Sequence, residues 1–167
     1  MSSNPPLHAQ IAALLPRLRR FARALTFNRE DADDVVQIAI ERAMSRSAQW
    51  EPGSRVDSWM FRTMKDRWND EVPTRPRRVQ LCAPEEAGEQ VGDESAMAHQ
   101  QRLAMQKAIS LLSEDHRIVV GLVLVDGLPY KEAAAVLDIP LGTLMSRLSR
   151  AREALQGLLS DQAGNLA

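Results

Sequence analysis

The chain has 167 residues, room for one ordinary domain or two small ones, and 44% of them are hydrophobic, which excludes a globally disordered protein. Aromatics make up only 4%, and glycines and prolines gather between periodic stretches, so helices are favoured over a many-stranded sandwich. A net charge of −1 removes overall basicity as an argument for nucleic-acid binding and leaves that argument to the distribution of charge. The single cysteine, Cys82, excludes an internal disulfide and fits a reducing cytosol. His8, His99 and His116 are scattered and make no metal-ligand spacing with it, so neither a metal nor a cofactor is expected. The N-terminus lacks a basic start followed by an apolar run, and no stretch approaches the roughly 20 apolar residues of a bilayer span. The expectation is a cytoplasmic protein without membrane insertion.

In chain order, Leu7, Ile11, Leu14, Leu15, Leu18, Phe21, Ala22 and Leu25 keep to one helical face. Pro16 is expected to divide this stretch into a short opening segment and a second helix decorated by Arg17, Arg19, Arg20 and Arg23. Ala32, Val35, Val36, Ala39, Ile40, Ala43 and Met44 then form an amphipathic stripe with Asp31, Asp33 and Asp34 near its start. Trp50-Glu51-Pro52-Gly53-Ser54 signals a turn before a helix from about Asp57 to Glu71, whose buried face is Phe61, Met64 and Trp68. Pro73 and Pro76 end it.

Residues 83–101 change character. Glu85, Glu86, Glu89, Asp93 and Glu94 occur there with no lysine or arginine among them, and Gly88 and Gly92 add freedom. The stretch reads as a flexible acidic linker between two helical modules, the alternative being a solvated loop inside one domain. Helical periodicity resumes through Leu103, Ala108, Leu111 and Leu112. Ser113 has the character of an N-cap, and Ile118, Val119, Leu122 and Val123 make the next buried stripe up to Asp126-Gly127. A short helix from Tyr130 to Leu137, a break at Asp138-Ile139-Pro140 and a last helix from about Gly142 to Leu159 complete the chain. The fold class is therefore all-α, in two small modules: residues 7–80, a linker at 81–101, and residues 102–160.

The last two helices carry the strongest functional signal. A short alanine-rich helix, a turn and a longer helix of mixed polarity is the layout of a helix-turn-helix, whose second helix enters the DNA major groove. On that helix Leu144, Leu148, Ala151 and Leu155 share one face, and Ser146, Ser149, Arg150 and Glu153 point opposite, flanked by Arg147 and Arg152. Outward serines and arginines reach phosphates and base edges. An ordinary amphipathic helix shows the same stripe, and only the preceding helix and turn separate the two readings.

Leu128-Pro129-Tyr130-Lys131-Glu132-Ala133-Ala134, Ile139-Pro140-Leu141-Gly142-Thr143-Leu144 and Ser146-Arg147-Leu148-Ser149-Arg150-Ala151-Arg152 closely resemble region four of the extracytoplasmic-function sigma factors. Asp31-Ala32-Asp33-Asp34-Val35-Val36-Gln37 with Arg42-Ala43 is similar to the core helix of region two in the same family, and Val56-Asp57-Ser58-Trp59-Met60-Phe61-Arg62 resembles its approach to the minus-10 element. The resemblance implies a non-enzymatic promoter-specificity subunit with core RNA polymerase, promoter DNA and an anti-sigma factor as partners. It assigns Asp34, Gln37, Ile38 and Glu41 to the clamp helices of the largest polymerase subunit, and it implies the flap of the second-largest subunit as a further contact. The minus-10 surface would be Trp50, Arg55, Trp59, Arg62, Lys65, Asp66 and Asn69, with Trp59 equally consistent with core packing. Stacking surface and positive charge are what an unpaired base requires. The minus-35 surface would be Thr143, Met145, Ser146, Arg147, Ser149, Arg150 and Arg152, while Arg75, Arg77 and Arg78 offer phosphate contacts.

Three positions depart from the family pattern. Ile38 stands where relatives carry an acidic residue, Asp66 where they carry asparagine, and Met145 where a basic residue is usual. These departures motivate a different class of function, a sigma mimic that sequesters an anti-sigma factor. A plain helix-turn-helix regulator is a third reading, and it leaves the N-terminal resemblance unexplained.

Overall fold

The computed structural model describes residues 4–26, 28–71 and 95–165, and every regular element among them is helical. The front half consists of α1 (Leu7–Thr26), α2 (Arg29–Ser45), a 3₁₀ turn (Ser47–Gln49) and α3 (Val56–Glu71). The rear half holds α4 (Ala96–Ser110), α5 (Glu114–Val119), a π-helical stretch (Val120–Val125), α6 (Tyr130–Leu137) and α7 (Leu141–Gly164).

The caps are set by local chemistry. Asn28 has extended backbone, and its side chain accepts from the amides of Glu30 and Asp31 at the start of α2. Ser95 does the same for Ala98 in α4, and Ser113 for His116 in α5. Gly127 takes φ +76, and Asp138 φ +54, a left-handed conformation that aspartate tolerates better than most residues; its amide closes α6 on Ala134 and Ala135.

The apolar stripes then meet. Ile11, Leu18, Phe21, Ala22 and Leu25 of α1, the α2 stripe and Met60, Phe61 and Met64 of α3 are buried together, with Phe21 and Phe61 edge to face at 5.0 Å. The same buried cluster continues through Ile118, Val119, Leu122 and Val123 to Ala133, Val136, Leu137, Leu144 and Leu148. A second cluster of Ala108, Leu112, Val120, Ala151 and Leu155 ties α4 to α7.

Several expectations need correction. Helix α1 runs unbroken through Pro16. The proline ring is exposed, on the side where carbonyls can turn to water, while Ile11 and Leu18 on either side of it are buried in one core. Residues 81–94 of the acidic stretch, and Arg75, Arg77 and Arg78, lie outside the described residues; the end of that stretch is helical, because Ser95 caps α4 from Ala96 onward. Helix α7 starts one residue earlier and runs on to Gly164, since Leu158 and Leu159 continue the packing against the α4 cluster. Met44 and Leu111, placed in buried stripes by their spacing, are exposed, and the widening of the turn at Val120–Val125 was not legible in the periodicity.

The aromatic pair tests the shared core. Phe61→Ala is expected to lower stability by about 3–5 kcal/mol, read from urea unfolding midpoints with a single cooperative transition retained.

Candidate nucleic-acid interface

Helix α7 buries Leu144, Leu148, Ala151 and Leu155 and turns Met145, Ser146, Ser149, Arg150 and Arg152 to solvent, as the helical wheel requires. Thr143 and Arg147 are half-buried, and Arg147 lies 3.8 Å from Asp115 of α5. That pair is too long and too exposed to hold the arginine firmly.

On α2, Asp34, Gln37 and Glu41 are exposed, with Gln37 donating to Glu41 at 3.3 Å, and Ile38 is half-buried beside them. These side chains form one polar edge next to a partly covered isoleucine.

The third group is divided. Arg62, Asp66 and Asn69 are exposed along α3, one above another at helical spacing. Trp50 and Trp59 are half-buried and pack on the edge of the core. Trp50, Arg55, Trp59 and Arg62 line a hollow of about 390 Å³ whose far wall is Glu132, Ala135 and Val136 of α6. The Trp50 indole N–H is buried there without a hydrogen-bond partner among the described residues. In that lining the Arg55 guanidinium is engaged by Asp57, Nε to Oδ1 at 3.1 Å and Nη2 to Oδ2 at 2.8 Å. Lys65 is held by the rear half, its Nζ donating to the Leu137 carbonyl at the end of α6 at 2.9 Å. Trp68 is half-buried at the junction and donates to Glu114 at 3.2 Å.

Sequence reasoning missed the polar joint between the halves. Arg17 of α1 donates to both oxygens of Asp126, at 3.0 and 2.6 Å, and to Asp57 at 3.1 Å, with its guanidinium carbon 5.6 Å from the centre of the Phe61 ring. The Asp126 side chain is only 3% exposed. Its hydrogen bonds to Asp126, reinforced by Asp57, raise the Arg17 pKa despite partial burial. Arg117 of α5 donates to the carbonyls of Ala24 and Leu25 at 2.7 and 3.1 Å, and burial pushes its pKa down. Nothing in the spacing marks Arg17 or Asp126 as partners, since 109 residues separate them.

Two family models match the chain, one described as the sigma2 domain of PhyR over residues 11–65 and one as sigma-70 region 4 over residues 102–155. Together with the helix-turn-helix, they define a sigma factor. The ECF RNA polymerase sigma factor EcfG of Rhodopseudomonas palustris (strain TIE-1) is 32% identical over 159 residues, 95% of this chain and 88% of that protein. The ECF sigma-E factor of Escherichia coli (strain K12) is 31% identical over 75% of this chain and 72% of its own. The sigma factor RpoE of Bartonella quintana, co-crystallised with the anti-sigma factor NepR, superposes with a TM-score of 0.76 at 30% identity, covering 92% of this chain and 96% of that one. The chain belongs to the ECF RNA polymerase sigma factors.

The Arg17–Asp57–Arg55 group has a pH signature. Burial alone would raise the Asp57 carboxyl, but hydrogen bonds from Arg55, the Ser58 amide and Arg17 outweigh it and hold the pKa below its usual value. A carboxyl depressed in the folded state stabilises above its unfolded pKa of about 3.9 and loses that contribution as pH falls through the lower folded value. The stability advantage of the native chain over Asp57→Asn should therefore be constant above about pH 5 and shrink below about pH 4, as followed by urea midpoints across that range.

Proposed function

We propose that this ECF sigma factor binds core RNA polymerase and directs it to promoters in the cytoplasm, with the front helices acting as the polymerase and minus-10 module and the rear helices as the minus-35 module. The single observation that carries the reading is α7. Ser146, Ser149 and Arg150 stand on its solvent face directly opposite buried Leu144, Leu148 and Ala151, so the helix is anchored on one side and free to enter a major groove on the other. The exposed edge of Asp34, Gln37 and Glu41 with Ile38 supports docking of α2 on the clamp helices of the largest subunit, and the rear module would meet the flap of the second-largest. Trp59, Arg62, Asp66 and Asn69, with Trp50 and Lys65 once the rear half withdraws, would face the opened minus-10 strand; Arg55, forked onto Asp57, acts chiefly to fix the loop. Unstacking a base costs a few kcal/mol, which an aromatic and cationic surface offsets.

The protein catalyses nothing itself under this reading; its partner performs the chemistry. Asp66 suits a cytosine amino group better than a phosphate, because a carboxylate can only accept. The co-crystal of RpoE with NepR supports an anti-sigma factor as a further partner of this chain.

A second reading, a mimic that sequesters an anti-sigma factor, is favoured by the match of residues 11–65 to the sigma2 domain of PhyR. One assay separates them. Purified chain added to core polymerase should give promoter-dependent transcripts from genomic fragments, and the mimic gives none. In the same assay Arg150→Ala is expected to cost about 1–3 kcal/mol of promoter use, the range of a bidentate base contact. Unchanged promoter choice would show that Arg150 does not reach the bases.

A further inference from the structure

Two apolar side chains stand exposed on the first turns of α7. Leu141 is 38% and Met145 51% exposed, although the same helix buries Leu144 and Leu148 almost completely. The two are four residues apart, so they lie one above the other on a single side of the helix. Ser149 and Arg152, both exposed, continue that side towards the C-terminus. Arg147 leaves on the other side, towards Asp115 at 3.8 Å. Leu141 and Met145 therefore form an apolar edge at the leading end of a helix whose following outward groups are Ser146, Ser149, Arg150 and Arg152.

Single exposed apolar side chains are ordinary on any protein surface. What sets this pair apart is its place, because a recognition helix meets base edges with its N-terminal residues. No acidic residue stands in the first turn of α7, so no charge there repels the phosphates that border a groove. The major groove offers hydrogen-bonding groups at every base pair but only one apolar group, the C5-methyl of thymine. Neither a leucine nor a thioether can donate to guanine O6 or N7, so reading guanine is closed to both positions. Methionine is also unbranched and polarizable, and it fits an irregular apolar surface better than a stiff side chain does.

We propose that Leu141 and Met145 are specificity-determining residues that read thymine C5-methyl groups in the minus-35 element, while Ser146, Ser149 and Arg150 make its polar contacts. The inference rests on the function proposed above and names what α7 selects. A thymine methyl that meets this edge removes apolar surface from water on both partners. Cytosine at the same place turns its amino donor onto an edge that cannot accept, and that donor loses its water for nothing. Selection here comes from apolar burial and is insensitive to salt, whereas the arginine contacts weaken as salt rises.

Deoxyuridine tests this, because it keeps every hydrogen-bonding group of thymine and lacks only the methyl. The chain is assembled with core polymerase, and a promoter is taken from the genomic fragments that the complex transcribes. Each thymine of the minus-35 element, on either strand, is then replaced in turn. With the native chain, replacement at one or two positions is expected to lower promoter occupancy about three- to fivefold each, the worth of burying one methyl group. With the Leu141→Ala/Met145→Ala chain the same replacements should cost nothing further; both sites are exposed and alanine keeps the helix, so the fold is retained. A native complex indifferent to every replacement overturns the inference, as does a minus-35 element with no thymine on either strand. A methyl effect that survives the double substitution overturns it too. Each of these results leaves the proposed function standing, whereas the absence of promoter-dependent transcripts from any fragment overturns both.

Discussion

One guanidinium joins three parts of the chain. Arg17 reaches Asp57 at the start of α3, 40 residues away, and Asp126 after the π-helical stretch, 109 residues away, while lying over the Phe61 ring. A largely buried carboxylate such as Asp126 is unfavourable unless paired with good geometry, and the bidentate contact supplies that geometry. The pair therefore fixes the register of the rear helices on α1 more than it adds stability. With that register set, Arg117 finds the carbonyl end of α1, Gly121 meets Ala24, and Lys65 finds the end of α6.

The same joint explains the absence of a side chain at position 121 and the widened turn around it. In the π-helical stretch the Asp126 amide bonds back to Gly121 rather than to the next carbonyl, which carries the Asp126 carboxylate round towards Arg17. Gly121 lets α1 approach to contact distance at Ala24 and Phe21.

The halves meet through one continuous buried apolar cluster, to which the polar contacts of Arg17, Lys65 and Arg117 are added. The net charge is −1, and the ion pairs Arg17–Asp57, Arg55–Asp57 and Arg147–Asp115 stay within one half while Arg17–Asp126 crosses between them.

The sequence by itself determined the helices and their inward faces. Leu144, Leu148, Ala151 and Leu155 fall on one stripe by spacing alone, as do Val35, Val36 and Ala39, and the exposure of Ser146, Ser149 and Arg150 follows from the same arithmetic. The cap at Ser113 and the turn at Gly127 are equally local, since each is decided by side-chain and backbone atoms a few residues apart. Only the tertiary structure decided that Pro16 is carried inside a continuous helix, that Met44 and Leu111 stay exposed, that Arg55 belongs to Asp57, and that Arg17 and Lys65 serve the opposite half. Periodicity records which face of a helix is apolar. It holds no information on which distant helix end or carboxylate will lie against a given cation, because that depends on how rigid elements dock across the whole chain.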